Sequence, residues 1–337
     1  MLLTNEELHV DNIDIYRGDA ISFYDIWDSP TVIISDGPYG VDGYSGDLTT
    51  PDGLGEWYEP HIKQWTEKST YETTLWFWNT EIGWATVHPF LKKYGWEYKA
   101  CNVWNKGIGH IAGNVNSKSI RHFPIVTEVC VQYYKNPSFH INNKQLSMKE
   151  WLRHEWERSG LSLNKTNEAC GVINAATRKY FTLCDLWYFP PADKMELLIN
   201  YANKYGQESG KPYFSLNGKQ SLTKEEWEKM RTIFKCPHSF TNVWDEPPVN
   251  GNERLRNGTK ALHSNQKPLN LMRLIIEASS NKSDVIWEPF GGLFSGLIAS
   301  KELNRRGYGA EISQYFFEFS KERIKSYFSN KLELPSA

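Results

Sequence analysis

An α/β protein carrying a mainly helical insert is what the sequence predicts, and three observations carry that prediction. Residues 31–35 form a β-branched apolar run stopped by Asp36-Gly37-Pro38-Tyr39-Gly40, a buried-strand pattern ending in a turn. Residues 284–311 read as strand, glycine-rich turn, helix, strand and terminal acid. Between these two regions, from about 138 to 235, helical spacing prevails. At 337 residues, one large domain, or one domain holding an insertion, is the expected size class.

In chain order, residues 13–16 are a short apolar run closed by Arg17-Gly18-Asp19, and residues 20–27 have helical spacing. Residues 40–60 hold many Gly, Asp, Pro and Thr without a clean period and read as a long loop. Residues 75–78 read as a second buried strand, 83–94 as a helix and 96–104 as an extended segment. In the insert, helices are expected over 147–159, 163–169, 174–181, 193–205 and 223–234, the last opening on a Thr223/Glu226 capping box. Residues 268–279 then form an amphipathic helix, 284–287 a strand, 297–304 a helix and 307–311 a strand. The expected divisions are therefore 1–137, 138–235 and 236–337.

Composition excludes several classes. A 40% hydrophobic fraction with 23% charged residues argues against wholesale disorder. The formal charge of -2 removes a generally basic surface, so any polyanion site is a local patch. No apolar run approaches a bilayer span, and Asn5, Glu6 and Glu7 break a signal-peptide layout; the expected compartment is the cytoplasm, with no membrane partner. Five cysteines without a CxxC or a Cys/His spacing read as buried free thiols, with no metal site. The 14 Trp, 18 Tyr and 16 Phe are mostly expected in the core, where large aromatics dominate burial.

Two constellations carry chemistry. A glycine turn between strand and helix lets a ligand approach the backbone, and an acid ending the next strand can accept hydrogen bonds from ribose hydroxyls. Glu288-Pro-Phe-Gly-Gly-Leu-Phe-Ser-Gly296 with Glu311 fits that pattern and implies a nucleoside ligand. The turn departs from GxGxxG, and Glu288 would repel a pyrophosphate but suit a cationic or neutral group. At the other strand end, Asp36-Gly37-Pro38-Tyr39 offers a carboxylate, a backbone carbonyl and an aromatic ring, enough to hold a planar amine; a simple turn reads the same residues.

Asp36-Gly-Pro-Tyr39 resembles the Asp-Pro-Pro-Tyr motif of the amino-group DNA methyltransferases. Glu288 to Gly296 resembles their Asp-Pro-Phe-x-Gly-Ser-Gly cofactor motif, and His263-Ser-Asn-Gln-Lys-Pro268 is similar to their His-Pro-x-x-Lys-Pro segment. Catalytic motif first and cofactor motif last is the order of the beta class. The resemblance implies a Rossmann-like sheet of the S-adenosylmethionine-dependent methyltransferases, circularly ordered, with the insert as target-recognition domain.

By the same resemblance, Asp36 and the Gly37 carbonyl accept the amine's hydrogens, Pro38 stiffens the loop and Tyr39 stacks on a flipped base. Gly37 departs from the family's Pro, which either loosens the loop or permits a closer approach. For S-adenosylmethionine, Phe290, Gly291 and Gly292 wrap the methionine part, Glu288 suits its positive charges and Glu311 binds the ribose. Asp19 touches the adenine, while Lys267 and Pro268 shape the pocket from the side.

Residues 163–181 read as a helix-turn-helix whose outward Asn174, Thr177, Arg178 and Lys179 face DNA; a generic helical hairpin reads equally. Residues 141–180 carry seven basic and four acidic side chains, and 251–270 four and one, local excesses suited to phosphates. The implied activity is sequence-specific methylation of double-stranded DNA, at adenine N6 because of the leading Asp, with cytosine N4 as the alternative. The implied partners are a cognate restriction endonuclease and a second copy of the chain in a homodimer. An RNA or protein-amide methyltransferase, and a non-catalytic helix-turn-helix regulator, are the rival classes.

Overall fold

A nine-stranded sheet organises the larger part of the chain. The structure is a computed structural model that describes residues 6–42, 48–111, 119–263 and 265–329. In chain order the strands are β1 (Glu7–Val10), β2 (Ile13–Arg17), β3 (Val32–Ser35), β4 (Thr74–Asn79), β5 (Glu97–Asn105), β6 (Thr127–Tyr134), β7 (Ser138–Ile141), β8 (Lys144–Ser147), β9 (Val243–Asp245), β10 (Arg256–Asn257), β11 (Lys260–Ala261), β12 (Val285–Glu288) and β13 (Arg306–Glu311). The helices are α1 (Leu54–Lys68), α2 (Glu81–Lys93), α3 (Met148–Arg158), α4 (Lys165–Ala169), α5 (Ala175–Lys179), α6 (Ala192–Tyr205), α7 (Lys224–Glu228), α8 (Leu269–Ser279), α9 (Ser295–Glu302) and α10 (Gln314–Ser329).

The sheet runs β1-β2-β13-β12-β3-β4-β6-β5-β9. From β2 to β4 all neighbours are parallel, and β6 is inserted antiparallel between β4 and β5. Strands β3, β4 and β12 are buried at every position, which is why they read as unbroken apolar runs. One face is covered by an aromatic core that includes Tyr58, Ile62 and Trp65 of α1. The other is covered by Leu271, Met272, Ile275 and Ile276 of α8, the amphipathic helix expected there.

This topology gathers the functional ends. The carboxyl ends of β2, β3, β4, β5, β12 and β13 share one edge of the sheet, and the antiparallel β6 brings its first residues to the same edge. Ligands of open α/β sheets collect there.

The chain divides into two compact units, residues 1–135 with 232–337, and residues 136–231. The second unit has its own core, built on Trp151, Trp156, Phe181, Leu198, Phe214 and Trp227, and combines α3 to α7 with the β7–β8 hairpin. Its α7 opens on the Thr223/Glu226 capping box, each residue bonding the other's backbone N–H.

Several expectations are corrected. The loop expected over 40–60 ends at Leu54, where α1 begins despite Pro60 inside it; residues 43–47 of that loop lie outside the described residues. The helix expected over 20–27 is a single 3-10 turn, Ala20–Ser22. Cys184 and Cys236 are exposed and Cys101 half-buried, so only Cys130 and Cys170 fit the buried-thiol reading. Among the described residues, no helix is long and apolar enough to cross a membrane, and no three His, Cys, Asp or Glu cluster around a metal position.

Candidate active site

The loop after β3 is clamped from outside its own sequence. The Pro38 carbonyl accepts hydrogen bonds from Tyr58 Oη on α1 at 3.1 Å and from Asn79 Nδ2 at the end of β4 at 3.0 Å. Gly37 lies so close to these supports that a Cβ there would stand 2.6 Å from Tyr58 Oη and 2.7 Å from Phe290 Cδ2. Of the two readings of that glycine, the close approach is the one the geometry bears out.

Tyr39, the ring expected to stack on a flipped base, is buried, at 7% exposed. Its hydroxyl donates to Asp36 Oδ1 at 2.8 Å and to Glu128 Oε2 at 3.2 Å, which turns the ring inward. Burial and the two carboxylates push its pKa well above the usual tyrosine value, so the hydroxyl stays protonated and keeps donating.

Lys267 completes a buried charge cluster. Its Nζ lies 2.8 Å from Asp36 Oδ1, 3.4 Å from Glu128 Oε2 and 5.2 Å from the centre of the Tyr39 ring. Glu128 Oε1 in turn pairs with Lys106 Nζ. Burial alone would lower the lysine's pKa and raise the Glu128 carboxyl's. The opposite charges outweigh burial in both, so Lys267 is held above and Glu128 below its ordinary value. Lys267 thus points its ammonium at two acids, Asp36 just past β3 and Glu128 near the start of β6. It is also buried, so it leaves the surface charge counted for residues 251–270. Ser264 of the same segment lies outside the described residues.

The glycine turn follows β12. Glu288, the last residue of that strand, accepts the backbone N–H groups of Gly296 at 3.0 Å and Leu297 at 2.8 Å, capping the start of α9. Burial nevertheless outweighs those bonds and pushes its pKa to about 8. At the end of β13, Glu311 accepts the N–H of Gly292 and of Ser313, both at 2.7 Å, and burial raises its carboxyl too. Each carboxylate oxygen retains a second lone pair for a ligand hydroxyl. A Cβ on Gly291 would strike the Phe294 ring at 2.2 Å, so only glycine lets the turn close over that ring.

Around the turn, Phe290 packs edge-on against His61 at 4.9 Å and beside Trp57 and Tyr58 of α1. The His263 ring lies 3.6 Å from a Cβ position on Gly292. Gly18 donates its N–H to the Glu311 carbonyl at 3.0 Å, which sets Asp19, itself the cap of the Ala20–Ser22 turn, at the neighbouring strand end.

β3 and β12 are adjacent parallel strands, with Trp287 opposite Ile33, so the Asp36 loop and the Glu288 glycine turn stand side by side. The DNA methylase family matches residues 31–322, most of the chain. The chain belongs to that family. The methylase is 36% identical over 89 residues to the Type II methyltransferase M.HpaI of Haemophilus parainfluenzae, an alignment spanning 26% of this chain and 27% of that protein. It therefore spans about a quarter of the length of that curated relative. It is 25% identical over 319 residues to the Type II methyltransferase M2.MboI of Moraxella bovis, spanning 93% and 87%. The crystal structure of the M1.HpyAVI–SAM complex shares its fold, with a TM-score of 0.50 at 16% identity over 93% of this chain and 98% of that one.

The methylase's site includes residues that reading the sequence missed: Tyr58, Asn79, Lys106 and Glu128. Tyr58 and His61 lie on one face of α1, hidden by the loop-like composition before it. Glu128 carried a usable signal, since an acid inside the apolar strand 126–131 must find a charged partner once buried.

In the second unit, Asn174, Arg178 and Lys179 are exposed on and beside α5. Thr177 is not outward. Its hydroxyl bonds Thr166 Oγ1 at 2.8 Å, Asn167 Nδ2 at 2.7 Å and the Leu163 carbonyl at 3.0 Å, joining α5 to α4. Each of those helices has only five residues, so a one-turn error in their facing misplaces a side chain.

Proposed function

We propose that the methylase moves a methyl group from S-adenosylmethionine to the exocyclic amine of a base flipped out of double-stranded DNA. The observation that carries the reading is the adjacency of Asp36, just past β3, to the Glu288 turn ending β12. Asp36 accepts an amine hydrogen, the Gly37 carbonyl accepts a second, and Tyr39 stacks on the base once released from its resting contacts. Asp36 at the head of the loop favours adenine N6 over cytosine N4.

The residues at the turn fit the methyl donor. Glu288 is a carboxyl whose pKa burial raises to about 8, and a sulfonium or ammonium beside it would favour its ionised form. Glu311 keeps lone pairs for ribose hydroxyls, Phe290 with Gly291 and Gly292 forms the wall, and Asp19 and Pro268 border it. When bound, the donor supplies a methyl group on a positively charged sulfur, already a good leaving group. The chain's part is to align the amine nitrogen and exclude water.

Arg178, Lys179 and Asn174 are the proposed DNA contacts of the unit 136–231, the proposed target-recognition domain. Protection of DNA from a partner restriction endonuclease is supported by the Type II naming of M.HpaI and M2.MboI. Homodimerisation and a cytoplasmic location remain part of the same proposal. Incubation with labelled donor and mixed-sequence duplex, followed by base-resolution mapping of N6-methyladenine and N4-methylcytosine, tests it. Unlabelled DNA from protein that binds the donor would sink the reading.

A further inference from the structure

The cluster around Asp36 poses a problem for an amine-holding carboxylate. Asp36 Oδ1 is already engaged twice, by Tyr39 Oη at 2.8 Å and Lys267 Nζ at 2.8 Å. If Asp36 turned to a target amine, a buried hydroxyl and a buried ammonium would lose a partner, and each loss is costly in a low-dielectric interior. Glu128 answers this. Its Oε2 already lies 3.2 Å from the same hydroxyl and 3.4 Å from the same ammonium, the longer arm of each shared contact.

We propose that Glu128 is a positioning residue for methyl transfer, receiving Tyr39 Oη and Lys267 Nζ as Asp36 turns to the amine. The inference rests on the function proposed above and adds to it a second, non-reacting carboxylate. The cluster is built for such an exchange: Glu128 is buried, Lys106 pairs with its other oxygen, and Lys267 and Lys106 together hold its carboxyl below the ordinary value. Lys106 directly follows β5 and Glu128 is the second residue of β6, so the pair ties these two neighbouring strands together at one edge of the sheet.

Glu128→Gln keeps the size of the side chain and removes its charge, and donor affinity by calorimetry should stay within about twofold because the donor-side residues are untouched. The single-turnover methyl-transfer rate on duplex DNA should fall about a hundredfold with little change in the DNA concentration needed for half-maximal rate, the signature of lost alignment. Glu128→Asp should recover about tenfold of that loss. Because Glu128 acts partly through Tyr39, the effects of Glu128→Gln and Tyr39→Phe should be less than additive in rate. If Glu128→Gln fails to fold by circular dichroism, Glu128→Asp alone carries the test, with an expected loss of about tenfold.

A wild-type rate in whichever variant carries the test, or full additivity with Tyr39→Phe, would overturn the inference while leaving the methyltransferase reading intact. Absence of transfer by the wild-type protein would instead overturn that reading.

Discussion

Tyr58 Oη donates to the Pro38 carbonyl at 3.1 Å while standing 2.6 Å from where a Cβ on Gly37 would lie. A helix that covers the core thus sets the shape of the Asp36 loop. Gly37→Ala should cost about 1–3 kcal/mol of stability through overpacking, and should slow methyl transfer by displacing the loop. Adding Tyr58→Phe should restore only part of the loss, because Phe290 Cδ2 still stands 2.7 Å away. Melting temperatures and single-turnover rates of the two variants check both statements.

Asp36→Ala should lower the methyl-transfer rate by about two to three orders of magnitude, the scale of losing one fixed electrostatic partner of a transition state. Donor affinity should be nearly unchanged, since Glu288 and Glu311 sit on other strands. Calorimetry with the donor alongside a filter assay on duplex DNA separates the two quantities.

Donor binding should strengthen with pH through the range around 8. Glu288 is raised by burial to about 8, so its ionised form, the one that attracts a cation, is lost as pH falls through that value. Binding a cation should therefore release protons near neutrality. Calorimetry in buffers of different ionisation enthalpy measures that release, and Glu288→Gln should abolish it.

Arg178→Ala and Lys179→Ala should weaken duplex binding and each reduce the slope of log affinity against log salt by about one. Thr177→Val should behave differently. It removes the hydroxyl joining α4 to α5 and should cost about 1–3 kcal/mol of stability in the unit 136–231, with the salt slope unchanged. Salt titrations of binding together with denaturant unfolding distinguish a reader of DNA from a structural tie.

The acid side of the stability curve should bear the mark of His61. Burial lowers its pKa to about 4, whereas the unfolded chain titrates near 6.5. Between those values the unfolded state holds more protons, so stability is fully present above about 6.5 and declines as pH falls toward about 4, by about 3 kcal/mol over the whole window. Urea midpoints measured from pH 7 to pH 4 should follow that slope, and His61→Gln should flatten it.

Much of the fold could be read in advance because its signals are local. Strands β3, β4 and β12 are buried on both faces and therefore appear as apolar runs, and the turns after β3 and β12 announce themselves by Gly and Pro. The supports of the site were not legible, because Tyr58, Asn79 and Glu128 reach the Asp36 loop across 20 to 89 positions of sequence. Helix α1 hid behind a loop-like stretch and an internal proline. Thr177 was misjudged because five residues of helix do not define an outer face, whereas its three hydroxyl bonds do.

The order of the central sheet has a consequence for the newborn chain. β2 takes its place beside β13, and β3 beside β12, so early strands wait for neighbours made nearly three hundred and about two hundred and fifty residues later. Residues 136–231, continuous and with a core of their own, can settle first as they leave the ribosome. Until β12 has emerged, the Asp36 loop has no Glu288 turn beside it, because the two stand together only where β3 and β12 pair. The juxtaposition of the two turns is thus a property of the assembled sheet and of no shorter stretch of the chain.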